Sequence, residues 1–524
     1  MMDTYILLHR FPGKISLVLF LLSLLWPGIA VAASGNPAAV DGEPSRPCYA
    51  MVVEYDVPVT LRDGTTVAVD IYRPKASGRF PVLLEGSAYD KRCSTDIRMS
   101  THTFFVPRGY VVIIWNVRGR FKSGGSFDMA ALPGNDGWDM VEWAARQPWS
   151  NGKIGLVGKS YSGQILLHTA AARPPHLVCA MSALTGSDAW QWYYRGGAME
   201  FGFSLYWGTV ILGWDLAEKT LGNTPALQRW KNLLEMYLAD QQTFADVIPL
   251  LDFKPAQIAP GVNLFATWAS HPTADAYWKR LSPSSYFSRI EIPILHIGGW
   301  YDIFLDGTLN AFQELRQRAG APLARRNQRL LLGPWHHSVP SYHGTRIGSV
   351  DYGPGLNQPG FNMMRLAFAD YWLKDTRTPL YREDAPVSVF TMGRNCWRTA
   401  PSWPPAEAEP QVWYFHASAR RKGESLNDGA LSQAGPAPAA PPQTYLYDPM
   451  NPTPTRGGSG LLLFPFGPDS LVDYGQQEQG PVDKRSLTFT SGPLVHDLLV
   501  SGAVSAHLSA SSSAVDTDWV VRLC

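Results

Sequence analysis

The run Gly158-Lys159-Ser160-Tyr161-Ser162-Gly163 follows the apolar stretch Ile154–Val157 and opens a helical segment, Gln164–Ala172. Ser160 therefore stands on a strand-to-helix turn, the arrangement of a nucleophile elbow. Such a turn leaves no room for a bulky Cβ two residues before or two after the serine. Gly158 and Ser162 meet that demand, and the second glycine falls one place late, at 163. A serine hydroxyl is a weak nucleophile and needs a base that is itself held by an acid. Two later strand ends offer both. Ile292–Ile297 runs into Gly298-Gly299-Trp300-Tyr301-Asp302, and Arg329–Leu332 runs into Gly333-Pro334-Trp335-His336-His337. The order serine, acid, histidine is the chain order expected when such a turn sits on a parallel sheet. Asp306, one helical turn beyond Asp302, is the rival acid. His296 lies inside its strand and reads as a core histidine. Asp188, Asp215, Asp240, Asp246 and Asp275 lack a strand-end placement.

The elements that position these residues follow from hydrophobic pattern. Phe80–Leu84, Val111–Trp115, Ile154–Val157 and Leu177–Ala183 are apolar without alternation, as strands buried on both faces are. Gly134–Gln147, between two of them, carries apolar residues at helical spacing. Alternating buried strands and helices predict an α/β fold built on a parallel sheet. Residues 48–185 and 290–380 form its two parts. The intervening 186–289 is aromatic and helical in period, for example Gln228–Leu238, and reads as a cap over the carboxyl edge of the sheet, where ligands bind in open α/β folds. From 384 to 524, short β-branched or alternating runs (Pro386–Thr391, Val412–His416, Trp519–Leu523) separated by Pro/Gly/Ser-rich turns predict an all-β module. Residues 434–442 form a low-complexity surface loop.

Composition narrows the function. The 524 residues carry 45 Lys and Arg against 44 Asp and Glu, so the chain has no net field with which to gather nucleic acid or acidic lipid. His9, Arg10 and Lys14 precede an uncharged apolar run, Ile15–Leu25, then Trp26-Pro27-Gly28 and the small-residue site Ala30-Val31-Ala32. This is the pattern of a cleaved signal peptide over residues 1–32, and it predicts a secreted or periplasmic protein. Removing it leaves 43 charges of each sign. Export permits disulfides, but Cys48, Cys93, Cys179, Cys396 and Cys524 are widely spaced, without metal-ligand spacing. Cys179 reads as a buried thiol. Whether Cys48 pairs with Cys93 stays open.

The motifs G-K-S-Y-S-G, G-W-Y-D and G-P-W-H-H, with L-R-D-G-T-T-V-A-V-D-I-Y-R-P and A-Y-D-K inside Tyr49–Lys91, resemble the cocaine esterase / X-prolyl dipeptidyl-peptidase family of serine hydrolases. Glutaryl-cephalosporin acylases and α-amino acid ester hydrolases are relatives within it. The family's elbow, G-x-S-Y-x-G, accounts for the late glycine. Met392-Gly393, Trp397-Arg398, Ser402-Trp403-Pro404-Pro405 and Asp516-Thr517-Asp518 look like stretches of the family's jelly roll. The resemblance implies an α/β-hydrolase core with an inserted helical cap and a C-terminal β jelly roll. It implies that this last module is incomplete at Cys524 and continues for about a hundred residues, the size of a sandwich domain. It also implies Ser160 as nucleophile, Asp302 as the acid and His337, rather than His336, as the base. Tyr89 matches the tyrosine whose hydroxyl forms half of the oxyanion hole, and the Tyr161 N–H would form the other half. His336 would then be a supporting or surface residue.

Two departures from the family stand out. Asn116-Val117-Arg118-Gly119 replaces an Asp-x-Arg-Gly, and Ile303, Phe304 and Leu305 after Asp302 supply no carboxylate of the kind that holds a substrate ammonium in the α-amino acid ester hydrolases. The expected activity is hydrolysis of a carboxylic ester or amide through an acyl-enzyme, with no cofactor and no metal. X-Pro dipeptidyl-peptidase activity, and an inactive hydrolase body serving as a binding protein, are the alternatives. The expected partners are a small-molecule ester or amide, or a short peptide. Nucleic acid is not expected, nor any membrane contact beyond export, and a homodimer is left open. Trp190, Trp192, Trp207, Trp214, Trp230, Trp268 and Trp278 of the cap are offered for an apolar acyl pocket, with most of them expected to be plain core.

Overall fold

A computed structural model describes residues 42–92, 101–129, 133–239, 252, 264–337, 345–357, 360–417, 429–437, 442–453, 457–459 and 479–524. The expected signal peptide and Cys93 lie outside them. The apolar runs form strands. Phe80–Ser87 (β3) and Val111–Asn116 (β4) are buried at every position, as strands covered on both faces must be. Side chains alternate between the faces. Val82 and Leu84 belong to one core cluster with Ile165 and Leu166, whereas Leu83 joins another with Leu366 and Phe368.

Met51–Thr60 (β1) and Thr66–Pro74 (β2) precede these two strands. Ser150–Lys159 (β5), Leu177–Ala183 (β6), Ile294–Tyr301 (β7), Arg329–His336 (β8), Val387–Thr391 (β9) and Cys396–Ala400 (β10) follow. All ten form one sheet in the order β1-β2-β4-β3-β5-β6-β7-β8-β9-β10. From β4 to β9 the neighbours are parallel, and the strands at both edges are antiparallel. The strand order reverses direction between β3 and β5. In open α/β sheets the carboxyl edge at such a switch point is where ligands bind. Helices Pro133–Ala145 (α1), Tyr161–Ala171 (α2), Leu305–Arg318 (α3) and Phe361–Lys374 (α4) are the main ones packed against the sheet.

The chain leaves the sheet after Ala183 and returns at Ile294. Between these points are the helices Ala189–Tyr193, Phe201–Leu205, Gly213–Leu221, Pro225–Ala239, Leu264–Ala269 and Ala276–Leu281. This is the helical insertion expected from its periodicity. Its tryptophans are largely core, as expected: Trp230, Trp268 and Trp278 are fully buried.

The all-β assignment needs two corrections. Pro386–Thr391 was expected in the C-terminal module, but Val387–Val389 pair in parallel with Leu330–Leu332, and Val387–Thr391 pair with Cys396–Ala400. The main sheet therefore runs to Ala400. A short β-branched run announces a strand, and periodicity does not say which sheet it joins. Trp519–Leu523, also expected as a strand, pairs with no strand among the described residues. A β-branched run is a strand only where a neighbour supplies the ladder. Farther along, Tyr414–Ala417, Gly429–Ser432 and Phe489–Thr490 form a separate three-stranded sheet.

Candidate active site

Ser160 lies between the last residue of β5 and the first of α2, with φ 60° and ψ −126°. A non-glycine residue in this region is strained by about 1–3 kcal/mol and persists only where its surroundings enforce it. Here they do. The Ser160 N–H donates to Ala183 O at 3.0 Å, and Ser160 O accepts from Thr185 Oγ1 at 2.7 Å and from the Gly163 N–H at 3.0 Å. A Cβ at Gly158 would fall 2.4 Å from Ser162 O, so the turn cannot close over a larger residue. A Cβ at Gly163 would meet the Thr185 side chain at 2.8 Å, which gives the late glycine its physical reason. Tyr161 opens α2, and its N–H, in the first turn of a helix, has no intrahelical carbonyl to bond.

Asp302 and His337 follow the paired residues Tyr301 and His336 of neighbouring strands. Both side chains are buried, and His337 Nδ1 donates to Asp302 Oδ1 at 2.6 Å. That bond fixes the imidazole tautomer and leaves Nε2 as the basic nitrogen. The Phe304 ring packs edge-on against His337, centroids 5.3 Å apart. Asp306 is exposed on the first turn of α3, where it lines a cleft of about 270 Å³ with Asp188, Gln191, Trp192 and Arg195. The structure thus brings Asp302, and not the rival Asp306, to the imidazole.

His336 is buried, so of the two placements expected for it, supporting or surface, the surface one is removed. Burial, then His337 and Lys159, push its pKa down to about 3. It sits within the strand ladder, one residue short of the edge, so its side chain points away from that of His337. His296 is a core histidine as read, 2.9 Å from Gln328 Oε1 through Nε2, with burial pushing its pKa down to about 4. Cys179 is a buried thiol, raised in pKa by burial.

Tyr89 follows β3 by two residues, across the switch point from Ser160. Its hydroxyl accepts from Trp207 Nε1 at 3.1 Å. Trp207 in turn packs on the Tyr161 ring, with centroids 5.7 Å apart. Trp207 is thus a cap tryptophan that reaches the site, and nothing in the helical periodicity of the cap singles it out. Asn116, the departure from Asp-x-Arg-Gly, is fully buried and its Nδ2 donates to Tyr89 O at 2.6 Å. An ionised aspartate could not donate that bond. Among the described residues no cluster of His, Cys, Asp and Glu is arranged to hold a metal ion.

A strained serine on an elbow, a carboxylate-bound histidine from the next strand ends and a parallel sheet reversing at the same edge define an α/β-hydrolase-type serine hydrolase. Residues 63–339 match the model of the X-Pro dipeptidyl-peptidase (S15) family, and 365–524 match that of the X-Pro dipeptidyl-peptidase C-terminal non-catalytic domain. The chain is 31% identical over 484 residues to the cocaine esterase of Rhodococcus sp. (strain MB1 Bresler), an alignment covering 90% of this chain and 80% of that one. A CocE/NonD family hydrolase from Staphylococcus aureus superposes with a TM-score of 0.50 at 21% identity, covering 73% of this chain and 60% of that one. An α-amino acid ester hydrolase does so with a TM-score of 0.56 at 20% identity, covering 80% and 68%. The chain belongs to the S15 family of hydrolases, which includes esterases and X-Pro dipeptidyl-peptidases by name.

Proposed function

We propose that the protein hydrolyses a carboxylic ester or amide through an acyl-enzyme on Ser160. His337 Nε2 takes the hydroxyl proton as Ser160 attacks the carbonyl carbon, while Asp302 holds the ring and stabilises the imidazolium that forms. The tetrahedral oxyanion is held between the Tyr89 hydroxyl and the Tyr161 N–H. His337 then gives the proton to the leaving oxygen or nitrogen, and the oxyanion collapses, re-forming the carbonyl double bond as the bond to the leaving group breaks and leaving the acyl group on Ser160. Water, deprotonated by the same nitrogen, releases the acid and returns Ser160 to its starting state. The observation that carries the reading is the 2.6 Å bond from His337 to Asp302 at the edge that also holds Ser160 in its strained turn.

An ester is favoured over an X-Pro peptide because the likeness to the cocaine esterase runs over 90% of the chain. That to a putative Xaa-Pro dipeptidyl-peptidase of Streptomyces avermitilis covers 32%, at 26% identity. A panel of p-nitrophenyl esters assayed beside Ala-Pro and Gly-Pro p-nitroanilides tests this. Turnover of the anilides with none of the esters would make the enzyme an exopeptidase. No turnover of either, together with no labelling by a fluorophosphonate, would return it to a binding protein.

Residues 1–32 are proposed to direct export and to be removed. N-terminal sequencing of the secreted protein should begin near Ala33, and a mature chain starting at Met1 would end that reading.

A further inference from the structure

Beside the site lies a cluster of charges for which acyl transfer has no direct use. Lys91 follows Tyr89 by two residues, and its side chain is 2% exposed. It pairs with Asp56 and, at 3.3 Å, with the fully buried Asp70. Asp56 also receives Arg92 and Lys122, each at 2.6 Å, and Arg92 reaches Asp70 at 3.3 Å. Asp56 stands where the β1–β2 register shifts between Glu54 and Val57, with φ 56°. Its N–H donates to Asp70 Oδ1 at 2.8 Å. A bulge re-aims a side chain, and bulges gather next to active sites. Here the bulge turns an aspartate of an edge strand toward the segment that carries Tyr89.

Stability alone does not call for this arrangement, since well-packed apolar residues commonly serve a buried position at least as well as an ion pair. Position does. Besides the apolar packing of Ala88 and the Tyr89 ring, the segment is held by hydrogen bonds. Ser87 Oγ accepts from the Tyr89 N–H at 3.1 Å, Asn116 donates to Tyr89 O, and Arg120 Nε donates to Ala88 O at 2.8 Å. The ion cluster fixes the far end, at Lys91 and Arg92. We infer that Lys91, clamped by Asp56 and Asp70, is a positioning residue that holds the Tyr89 hydroxyl at the oxyanion. This rests on the proposed role of Tyr89 in the oxyanion hole. A preorganised donor needs no rearrangement as charge develops, whereas a displacement of about 1 Å at a reacting centre can cost about a hundredfold.

A double-mutant cycle tests the clamp, with Lys91→Met measured in the wild-type and Tyr89→Phe backgrounds and Lys91→Arg as the conservative variant. Lys91→Met should lower kcat about tenfold or more with KM little changed, within the range a misplaced group can cost. Lys91→Arg should regain most of that loss. In the Tyr89→Phe background, Lys91→Met should cost less than about twofold further, because the group it positions is already gone. A full, additive loss in that background would overturn the clamp while leaving Tyr89 as the donor. If Tyr89→Phe alone is harmless, the oxyanion reading fails and the clamp with it. Should Lys91→Met not fold, Asp56→Asn takes its place in the same cycle, with the same criteria.

Discussion

The two halves of the site are held by different means. Asp302 and His337 are the residues next after Tyr301 and His336, which are register partners in adjacent parallel strands, so the backbone ladder itself delivers acid to base. Tyr89 lies beyond the end of its strand. It is placed by side chains from elsewhere: Asn116, Trp207 and, through Lys91, Asp56 and Asp70. A ladder positions whatever follows its last rung. Beyond the strand end Tyr89 depends on individual side-chain bonds, each a separate point of failure.

The largest effects are expected in the half held by the ladder. His337→Ala should abolish acylation, whereas His336→Ala should retain most of it, since only the His337 ring is held by Asp302. The reverse ranking in a side-by-side assay would move the base to His336. Asp302→Asn should leave the fold intact and lower kcat by about 10⁴, the loss seen when a triad imidazole is given the wrong tautomer. Asp306→Asn, on the exposed cleft, should be mild, and the opposite outcome would transfer the acid role.

The loop-held half should fail by smaller steps. Tyr89→Phe removes one hydroxyl and keeps the ring, so kcat should fall by about 10²–10³ with little change in KM. A raised KM at unchanged kcat would make Tyr89 a substrate-binding residue instead. Trp207→Phe removes the N–H that fixes the direction of that hydroxyl and should cost less than Tyr89→Phe, on the order of tenfold, the worth of about one modest hydrogen bond. A larger loss than that of Tyr89→Phe would place Trp207 on the substrate itself.

Acid should act on the scaffold common to both halves. His168 and His296 are pushed down to about 4 and His336 to about 3, chiefly by burial. Their unfolded value is about 6.5. Stability is therefore fully present above about pH 6.5 and declines as pH falls toward the folded values, because the unfolded chain takes up protons that the native one refuses. Each histidine contributes about 1.4 kcal/mol per pH unit at most across that window. The Tm should fall steadily from pH 7 to 4.5, and a flat profile would show that these rings are protonated in the native state.

The same contrast explains what could be read from the sequence. Apolar runs without alternation announce strands in a local window, and the residues just past them, Ser160, Asp302 and His337, could be picked out as strand-end candidates. Gly158 and Ser162 could be read as steric requirements. The reason for Gly163 could not, because Thr185 meets it only in the fold. Tyr89 was reached through its motif and not through any pattern of its own. Trp207 lies 118 residues from Tyr89, and Asp56 lies 35 from Lys91. No periodicity records such pairings. Val387–Thr391 was visible as a strand and its partner Cys396–Ala400 was not, and the sheet they join is set by the edge of Arg329–His336 and not by their own composition.

The central claim is an acyl-enzyme on Ser160, and it is tested most directly by trapping one. The protein is mixed with a p-nitrophenyl ester, quenched in acid within the first turnover, and its peptides are mapped by mass. The account predicts a burst of p-nitrophenol and an added acyl mass on the peptide containing Ser160, both absent in Ser160→Ala and both retained, though slower, in Tyr89→Phe. Steady turnover with no acylated peptide, or an acyl group on another residue that survives Ser160→Ala, would contradict it.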